Sequence, residues 1–488
     1  MNKIKIVTMN LHQHSQFPRV LCWLAVVILA TPLWVSAEAV VSAAETMPIR
    51  FAASGKFKML YDARQRPQAI CVAGKVFVVF NGKATPTRNE KGSAFPMLAI
   101  YDLESRTFAR PVKLADVSSS DHHDSPIIWA DRANHLHVLY GCHKSPGVHL
   151  VSEHPVTRTN DKILWQQGSQ IAPKMSYPCV FRMRGNSDLI YYRTDGHTSS
   201  WTYRVTKDNG LTWTGPAVDV TDLDSKGRLD WSSYHTKIPG KDRRYLHVGY
   251  TDYDDNKHDF DPQRFFNPKY NALVTNEWKY NLSYLRIDPE TGTVCNSNQV
   301  PLLTPVDIAS SKKLCEIWDT QWRGAGVPPA VALDERGAPV FLHVLSEDSI
   351  TEHAYFYVRR VAGSWLKTRI TSSTHQWNSG HLVCDKQGVL HAFVVVGDKY
   401  LSGGYMDRHG GGQIEEWTSS DQGHTWNRKR LFSPSGEQYD GWKFNNVQPV
   451  LNADGGVLDG MWVFYGWKDA SMPDASAFLV DETSKGDH

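Results

Sequence analysis

Apolar and polar residues alternate with a period of two through most of the chain beyond residue 70, and one phrase recurs. It is a polar turn carrying Gly, Asp or Asn, followed by a run rich in β-branched and aromatic residues. It occurs at residues 73–80 (AGKVFVVF), 131–140 (DRANHLHVLY), 184–192 (RGNSDLIYY), 239–250 (PGKDRRYLHVGY), 334–344 (DERGAPVFLHV), 385–394 (DKQGVLHAFV) and 454–465 (DGGVLDGMWVFY). Alternation of this kind places successive side chains on opposite faces of a strand, so each copy predicts a turn and a strand. Most copies lie roughly 50–70 residues apart, close to the period of a kelch-type blade. The interval from Pro239 to Asp334 is longer and has room for an insertion. No long stretch keeps a helical period, so the fold class is all-β.

Two segments narrow the architecture. Residues 206–213 (TKDNGLTW) and 419–426 (SSDQGHTW) share the pattern S/T-x-D-x-G-x-T-W. This is the Asp box of bacterial-neuraminidase repeats. Asp and Gly make a tight turn between two strands, and Trp packs against the sheet. With seven repeats, the pattern predicts a single seven-bladed β-propeller with Asp-box hairpins. Radial repetition makes one large domain, against the three domains that 488 residues would otherwise suggest.

The N-terminus reads differently. Lys3, Lys5 and Arg19 precede an apolar run from Val20 to Val35, which ends in the small-residue sequence Val35-Ser36-Ala37. This predicts a signal peptide over residues 1–37, a propeller domain over 38–488, and export to the periplasm or the medium. Losing those three cations takes the formal charge from +2 to −1, so nothing argues for nucleic acid as a partner. No other segment is apolar enough to span a bilayer. Cys22 leaves with the leader, and Cys71, Cys142, Cys179, Cys295, Cys315 and Cys384 remain. Export permits disulfides, but six cysteines allow 15 pairings. Without any C-x-x-C, mostly free thiols are expected. The 17 Trp and 20 Tyr suit a carbohydrate-binding surface.

Polar residues crowd at 118–126 (SSSDHHDSP), just before the apolar run Ile127-Ile128-Trp129. His143 follows His123 by twenty residues, with one strand–turn–strand between them, so both reach the same end of a blade. Histidine suits proton transfer near neutral pH. A metal site is the competing reading, and the spacing fixes no third ligand. In the next repeat Tyr177 starts a strand and Arg193 ends the following one, and a hairpin would bring them together. Each of the four, taken alone, is as well explained by ordinary loop or core packing.

Together, the run DHHDSPII…LHVLYGCH, then SYP, YYR and the Asp box DNGLTW, resembles the neuraminidase-repeat polysaccharide lyases, and among them the ulvan lyases with a seven-bladed propeller. The similarity runs from about Ile70 through Tyr284 and more loosely to Trp467. The resemblance implies two histidines, a tyrosine and an arginine lining a canyon, which by motif are His123, His143, Tyr177 and Arg193. Tyr234, in WSSYH, looks like a further substrate-binding tyrosine. His258 matches a later family histidine, with His247 as its rival.

The implied reaction is cleavage of a uronate-containing polysaccharide, ulvan first, by β-elimination across C4–O4. A cation must neutralise the uronate carboxylate as charge develops, and Arg193 offers a bidentate fork. Tyr177 is favoured as the base and His123 as the acid, with His143 holding the carboxylate or tuning His123. No cofactor is required, and a structural metal is left open. The partner is an acidic polysaccharide, and a monomer is expected, because a closed propeller leaves no long free edge. Two alternatives remain. A sialidase-like hydrolase would need an arginine cluster, yet Pro48-Ile49-Arg50-Phe51 has the wrong order for its usual early motif. A non-catalytic carbohydrate-binding propeller predicts that the four candidates do not converge.

Overall fold

The seven recurring phrases all fold as strands. They end in Lys75–Gly82, Leu136–Tyr140, Asp188–Arg193, Leu246–Tyr253, Pro339–Ser346, Leu390–Val396 and Val457–Trp467. The computed structural model describes residues 47–483 except 54–58, 83–93, 118, 120, 160–161, 197–198, 224–225, 227–230, 254–263, 276, 374, 398–408 and 469–474. The expected leader therefore lies outside the described residues. No helix among them is long and apolar enough to cross a membrane.

Each of these strands pairs antiparallel with the strand before it and with a later one, in propeller-like all-β sheets. For five of the seven the later one is the next strand, while Leu136–Tyr140 pairs with Val148–Ser152 and Leu246–Tyr253 with Lys279–Asp288. One sheet has nine strands. In it the run from Ala69–Val72 to Phe95–Asp102 is joined, through the parallel pairs Ile70–Leu451 and Cys71–Asn452, to the run Lys443–Asn452, Val457–Trp467, Ala475–Asp481. The N-terminal strand Ile49–Ala53 completes this second run by pairing with Ala475–Asp481. The long interval after Pro239 holds a two-stranded hairpin, Arg264–Asn267 with Ala272–Thr275, and the helix Ile308–Leu314. Asp307 caps that helix by accepting from the Ser310 amide at 2.8 Å.

The recurring strands are apolar on both faces because both faces are buried. Along Asp188–Arg193, Ile190 and Tyr192 pack with Ile127, Trp129 and Leu139 of the preceding sheet, while Leu189 and Tyr191 pack with Val248, Leu285 and Ile287 of the following one. Along Lys75–Gly82, Phe77 and Val79 face one neighbour and Val76, Val78 and Phe80 the other. Each such side chain contributes roughly 1.5–3 kcal/mol on leaving water.

The two Asp boxes are built alike. Thr206 Oγ1 donates to Asp208 Oδ1 at 2.7 Å and accepts from the Gly210 amide at 2.9 Å, while Asp208 accepts from the Thr212 amide at 2.9 Å. Ser419, Asp421, Gly423 and Thr425 repeat the pattern at 2.7, 2.8 and 2.9 Å. Gly423 has φ +85°, and a Cβ there would come within 2.2 Å of the Tyr357 ring. Trp213 and Trp426 are half-buried against neighbouring cores. All six cysteines from Cys71 onward are free thiols.

Candidate active site

Register brings His143 and Arg193 to one place. Ser176 pairs with His143 on one side and with Arg193 on the other. Residues directly opposite in adjacent antiparallel strands share a face. The strand His143–Ser145 has left the sheet of Leu136–Tyr140 and joined the next sheet, whose strand Met175–Arg182 it borders. His143 thus carries the histidine end of one sheet onto the tyrosine–arginine end of its neighbour.

A bulge sets Tyr177. Ser176 faces Arg193 and Cys179 faces Tyr191, so Tyr177 and Pro178 together oppose the single residue Tyr192. Pro178 has no amide hydrogen to leave unpaired there. Tyr177 takes φ +57°, which an aromatic residue adopts only at a cost of about 1–3 kcal/mol. Its ring stands edge-on to His123, with centroids 5.5 Å apart.

His123 lies in the short 3-10 turn His122–Asp124, capped by Asp121, which accepts from the His123 amide at 3.0 Å. The same Asp121 oxygen lies 2.5 Å from His123 Nδ1. Burial pushes the Asp121 carboxyl up, but its bonds to His123 outweigh that and hold it well below the carboxylate range. An ionised carboxylate only accepts, so Nδ1 carries a proton, and in the neutral ring it is Nε2 that holds the lone pair. The Gly141 amide donates to Asp124 O at 3.1 Å, tying the turn to the end of the neighbouring strand. The ring centroids of His123 and His143 are 4.5 Å apart. Burial, reinforced by His123, pushes His143 down to about 4, so it is neutral near pH 7.

Tyr234 closes the cluster, its hydroxyl 3.1 Å from that of Tyr177. Three cations surround the two phenols. The Arg193 guanidinium lies 4.7 Å from the Tyr177 ring centre and 5.1 Å from that of Tyr234. Arg64 lies 4.6 Å from the Tyr177 ring centre, and Lys279 Nζ 4.5 Å from that of Tyr234. Burial drives the Tyr177 phenol well above its ordinary value, although Arg64 and Arg193 pull the other way. Burial also brings Lys279 down to about 7. Arg193 is 0% exposed, and none of its three side-chain nitrogens meets a hydrogen-bond partner among the described residues. Tyr177 and Tyr234 are buried as well, so His122, His123 and His143, each half-buried, are the groups open to the outside.

Five of the six expected site residues therefore converge: His123, His143, Tyr177, Arg193 and Tyr234. His258 lies outside the described residues. Its rival His247 is held elsewhere, with Nδ1 2.7 Å from the Tyr284 hydroxyl. Arg50 stacks on Trp442 and bonds Ser476, taking no part in the cluster. Asp62, Arg64, His122 and Lys279 join the site without having been nominated. Asp121 and His122 were visible inside the polar run at 118–126, but nothing in the loop around Arg64 or at the start of the strand Lys279–Asp288 announced a site.

Two sets of donors could hold a metal ion, Asp62 with His122 and His123, and Asp121 with His123 and His143. The ligand types suit zinc or a similar divalent ion. Both carboxylates already have cationic or N–H partners, however. Asp62 grips Arg64 through two bonds of 2.7 and 2.5 Å, and Asp121 holds His123.

Comparison with known proteins follows the same lines. Residues 91–373, more than half of the chain, match the family described as BNR repeat-containing family member. An ulvan lyase of Alteromonas sp. (strain LOR) is 26% identical over 189 residues, covering 34% of this chain and 36% of that protein. An ulvan lyase of Nonlabens ulvanivorans is 23% identical over 293 residues, covering 54% and 57%. The chain thus aligns with about a third to just over half of these curated relatives. A solved structure described as a new family of polysaccharide lyase, PL25-ulvanlyase, superposes with a TM-score of 0.69 at 16% identity, covering 89% of this chain and 96% of that one. The repeated turn-and-strand phrases, the paired Asp boxes and this match over more than half its length agree: the chain belongs to the BNR repeat-containing family.

Proposed function

We propose that this chain is a polysaccharide lyase that cleaves ulvan, a sulfated rhamnose–uronate polymer, by β-elimination. The observation that carries the reading is the convergence of an Asp121-bound histidine, a buried tyrosine and an unpartnered arginine at one place. The relatives named ulvan lyase, and a solved structure of similar fold (TM-score 0.68) described as bound to -[GlcA(1-4)Rha3S]-, support the substrate class.

In this scheme the uronate carboxylate displaces the cover over Arg193 and takes its free fork, while neutral His143 donates a hydrogen bond. Neutralising the carboxylate makes C5–H acidic enough to lose. His123 Nε2 removes that proton, the C4–C5 double bond forms, and the C4–O4 electron pair leaves on oxygen. The Tyr177 phenol protonates the leaving oxygen, and Arg64 and Arg193 stabilise the phenolate left behind. The sequence favoured the opposite assignment, with Tyr177 as base. A phenol raised by burial is a poor base at neutral pH, whereas an imidazole whose Nδ1 is held by a carboxylate is a good one. The scheme draws on no cofactor.

The finer architecture belongs to the same proposal. Seven blades are supported by the first strands of the units, which touch one another in a closed cycle that ends where Lys443–Asn452 meets Ala69–Val72. Such closure suits a monomer, and we propose export through the leader over residues 1–37.

The test is to mix the protein with ulvan and follow the ultraviolet absorbance of the unsaturated uronate product, with Arg193→Asn alongside. A rise lost in the variant supports β-elimination. New reducing ends without absorbance would move the protein to the hydrolases, and no cleavage of any uronate polymer would leave a carbohydrate-binding propeller.

A further inference from the structure

A cavity of about 730 Å³ lies away from the His–Tyr–Arg cluster. It sits toward the other end of the same first strands. Along Met175–Arg182, Tyr177 belongs to the cluster while Val180 and Phe181 line the cavity, and along Ser232–Pro239, Tyr234 belongs to the cluster while Lys237, Ile238 and Pro239 line the cavity. At roughly 3.3 Å per residue, the two sites are about 10–16 Å apart along the strands. Between them is a gap of about 30 Å³, bordered by Arg64 on one side and sharing Arg66, Lys237 and Gln448 with the large cavity. It has room for one or two water molecules.

The charged residues around the cavity fall into two groups. Those on its rim are satisfied: Glu416 holds Lys429 at 3.0 Å and Arg430 at 2.6 Å, His391 lies between Glu416 and Asp385, and Lys386 meets Asp459 at 2.8 Å. Arg66 and Lys237, where the cavity narrows toward the gap, are different. Arg66 is pinned through its backbone to the strand Met175–Arg182, with its amide on Pro178 O and its carbonyl accepting from Val180, and its side chain meets only Ala63 O, at 3.4 Å. Lys237 is 5% exposed, and its ammonium bonds only the Cys179 sulfur, at 3.5 Å. It rests between the rings of Trp201 and Tyr191, 4.9 and 5.2 Å from their centres. Neither cation forms an ion pair with a carboxylate among the described residues. Asp219, the acid that most influences Lys237, is itself bonded to the Tyr191 hydroxyl at 2.6 Å. Burial correspondingly pulls both cations down from their ordinary values.

A half-buried guanidinium and a buried ammonium without a counter-ion are costly, and an anion placed between them lowers that cost. A guanidinium fork beside an ammonium matches the oxygens of a tetrahedral or planar oxyanion. The volume lies in the range of small-molecule sites, and Phe181, Phe393 and Trp462 supply apolar wall. We propose that this cavity is a second binding site, distinct from the candidate active site, for a sulfate-class oxyanion held by Arg66 and Lys237, either free or carried on a sugar. The proposal does not depend on the lyase reading.

Calorimetric titration of the full chain with sodium sulfate, rhamnose 3-sulfate and unsulfated rhamnose, at matched ionic strength, tests it. Saturable binding of a sulfated probe is expected, weakened at least tenfold in Arg66→Gln, with cleavage of polysaccharide unchanged in that variant. Tighter binding of the sugar sulfate than of sulfate assigns the site to a saccharide, and the reverse assigns it to the free ion. Lys237→Met, whose side chain sits among aromatic rings, is replaced if it fails to fold by diffraction from wild-type crystals soaked in selenate, where an anomalous peak beside Arg66 and Lys237 is expected. No selenate peak there, equal affinity in wild type and Arg66→Gln, or equal binding of unsulfated rhamnose overturns the proposal.

Discussion

In the proposed scheme the proton that Asp121 holds on His123 Nδ1 makes the imidazole a directed base. Replacing Asp121 with Asn presents an amide that can turn either its oxygen or its nitrogen to the ring, so the tautomer is no longer enforced. Asp121→Asn should lower kcat on ulvan about 10²- to 10³-fold with little change in KM, and Tm should move by only a few degrees. Equal loss in KM and kcat would mean that Asp121 serves binding instead. Arg193 permits a sharper contrast. It is fully buried and meets aromatic rings but no carboxylate among the described residues, so its burial weakens the free protein, whereas the proposed scheme has it serve the reaction. Arg193→Met should abolish elimination and leave Tm unchanged or raised, as a heat scan beside the activity assay would reveal. A large drop in Tm would make Arg193 a structural residue. Arg193→Lys keeps the charge and loses the fork, and should recover only a small part of the rate.

At the scale of elements, the bulge at Tyr177-Pro178 and the Asp boxes do separate work. The bulge re-aims one side chain into the site, and the boxes only tie hairpins. Gly423 combines φ +85° with a Cβ position 2.2 Å from the Tyr357 ring. Gly423→Ala should therefore cost about 2 kcal/mol or more in denaturant unfolding. Its kcat/KM below the unfolding transition should match that of the parent, since none of the box residues touches the His–Tyr–Arg cluster. Loss of specific activity in protein that is still folded would contradict this division.

Over the whole molecule, buried histidines set the response to acid. Burial pushes His149 and His247 down to about 4, and His343, His353 and His381 to about 3. In the unfolded chain histidine titrates near 6.5. Below that pH the unfolded state binds protons that the folded state refuses, so stability falls as pH drops from about 6.5 toward 4. Asp219, pushed up to about 7 by burial, acts in the opposite sense, because its folded form keeps a proton that the unfolded chain loses near 4. Asp252, pushed up to about 6, and Asp222, pushed well above its ordinary value, act with Asp219. The five histidines, joined by His122 at about 3 and His143 at about 4, outweigh the three. Denaturant midpoints measured from pH 7 to 4 should fall steadily, and Asp219→Asn should steepen that fall by removing the opposing contribution. A midpoint flat across this range would mean that these histidines are solvated.

The alternating phrases and Asp boxes made the all-β class legible without coordinates, because strand periodicity and tight turns depend on near neighbours in the chain. The same locality made four of the site residues readable. His123 and His143 flank one strand–turn–strand, Tyr177 and Arg193 flank another, and short hairpins leave little freedom in where their ends meet. Tyr234 came from the motif resemblance alone. What only the tertiary structure decided is whatever crosses from sheet to sheet. His143 leaves its own sheet to pair beside Ser176, and Asp62, Arg64 and Lys279 arrive from a loop and a strand remote in sequence. Burial is the other such quantity. It keeps the Tyr177 phenol protonated, which in the proposed scheme reverses the acid and base favoured from residue types, and it leaves Arg193, Lys237 and the half-buried Arg66 without ion-pair partners among the described residues. Desolvation depends on how much of the rest of the chain surrounds a group, and local spacing carries no record of that.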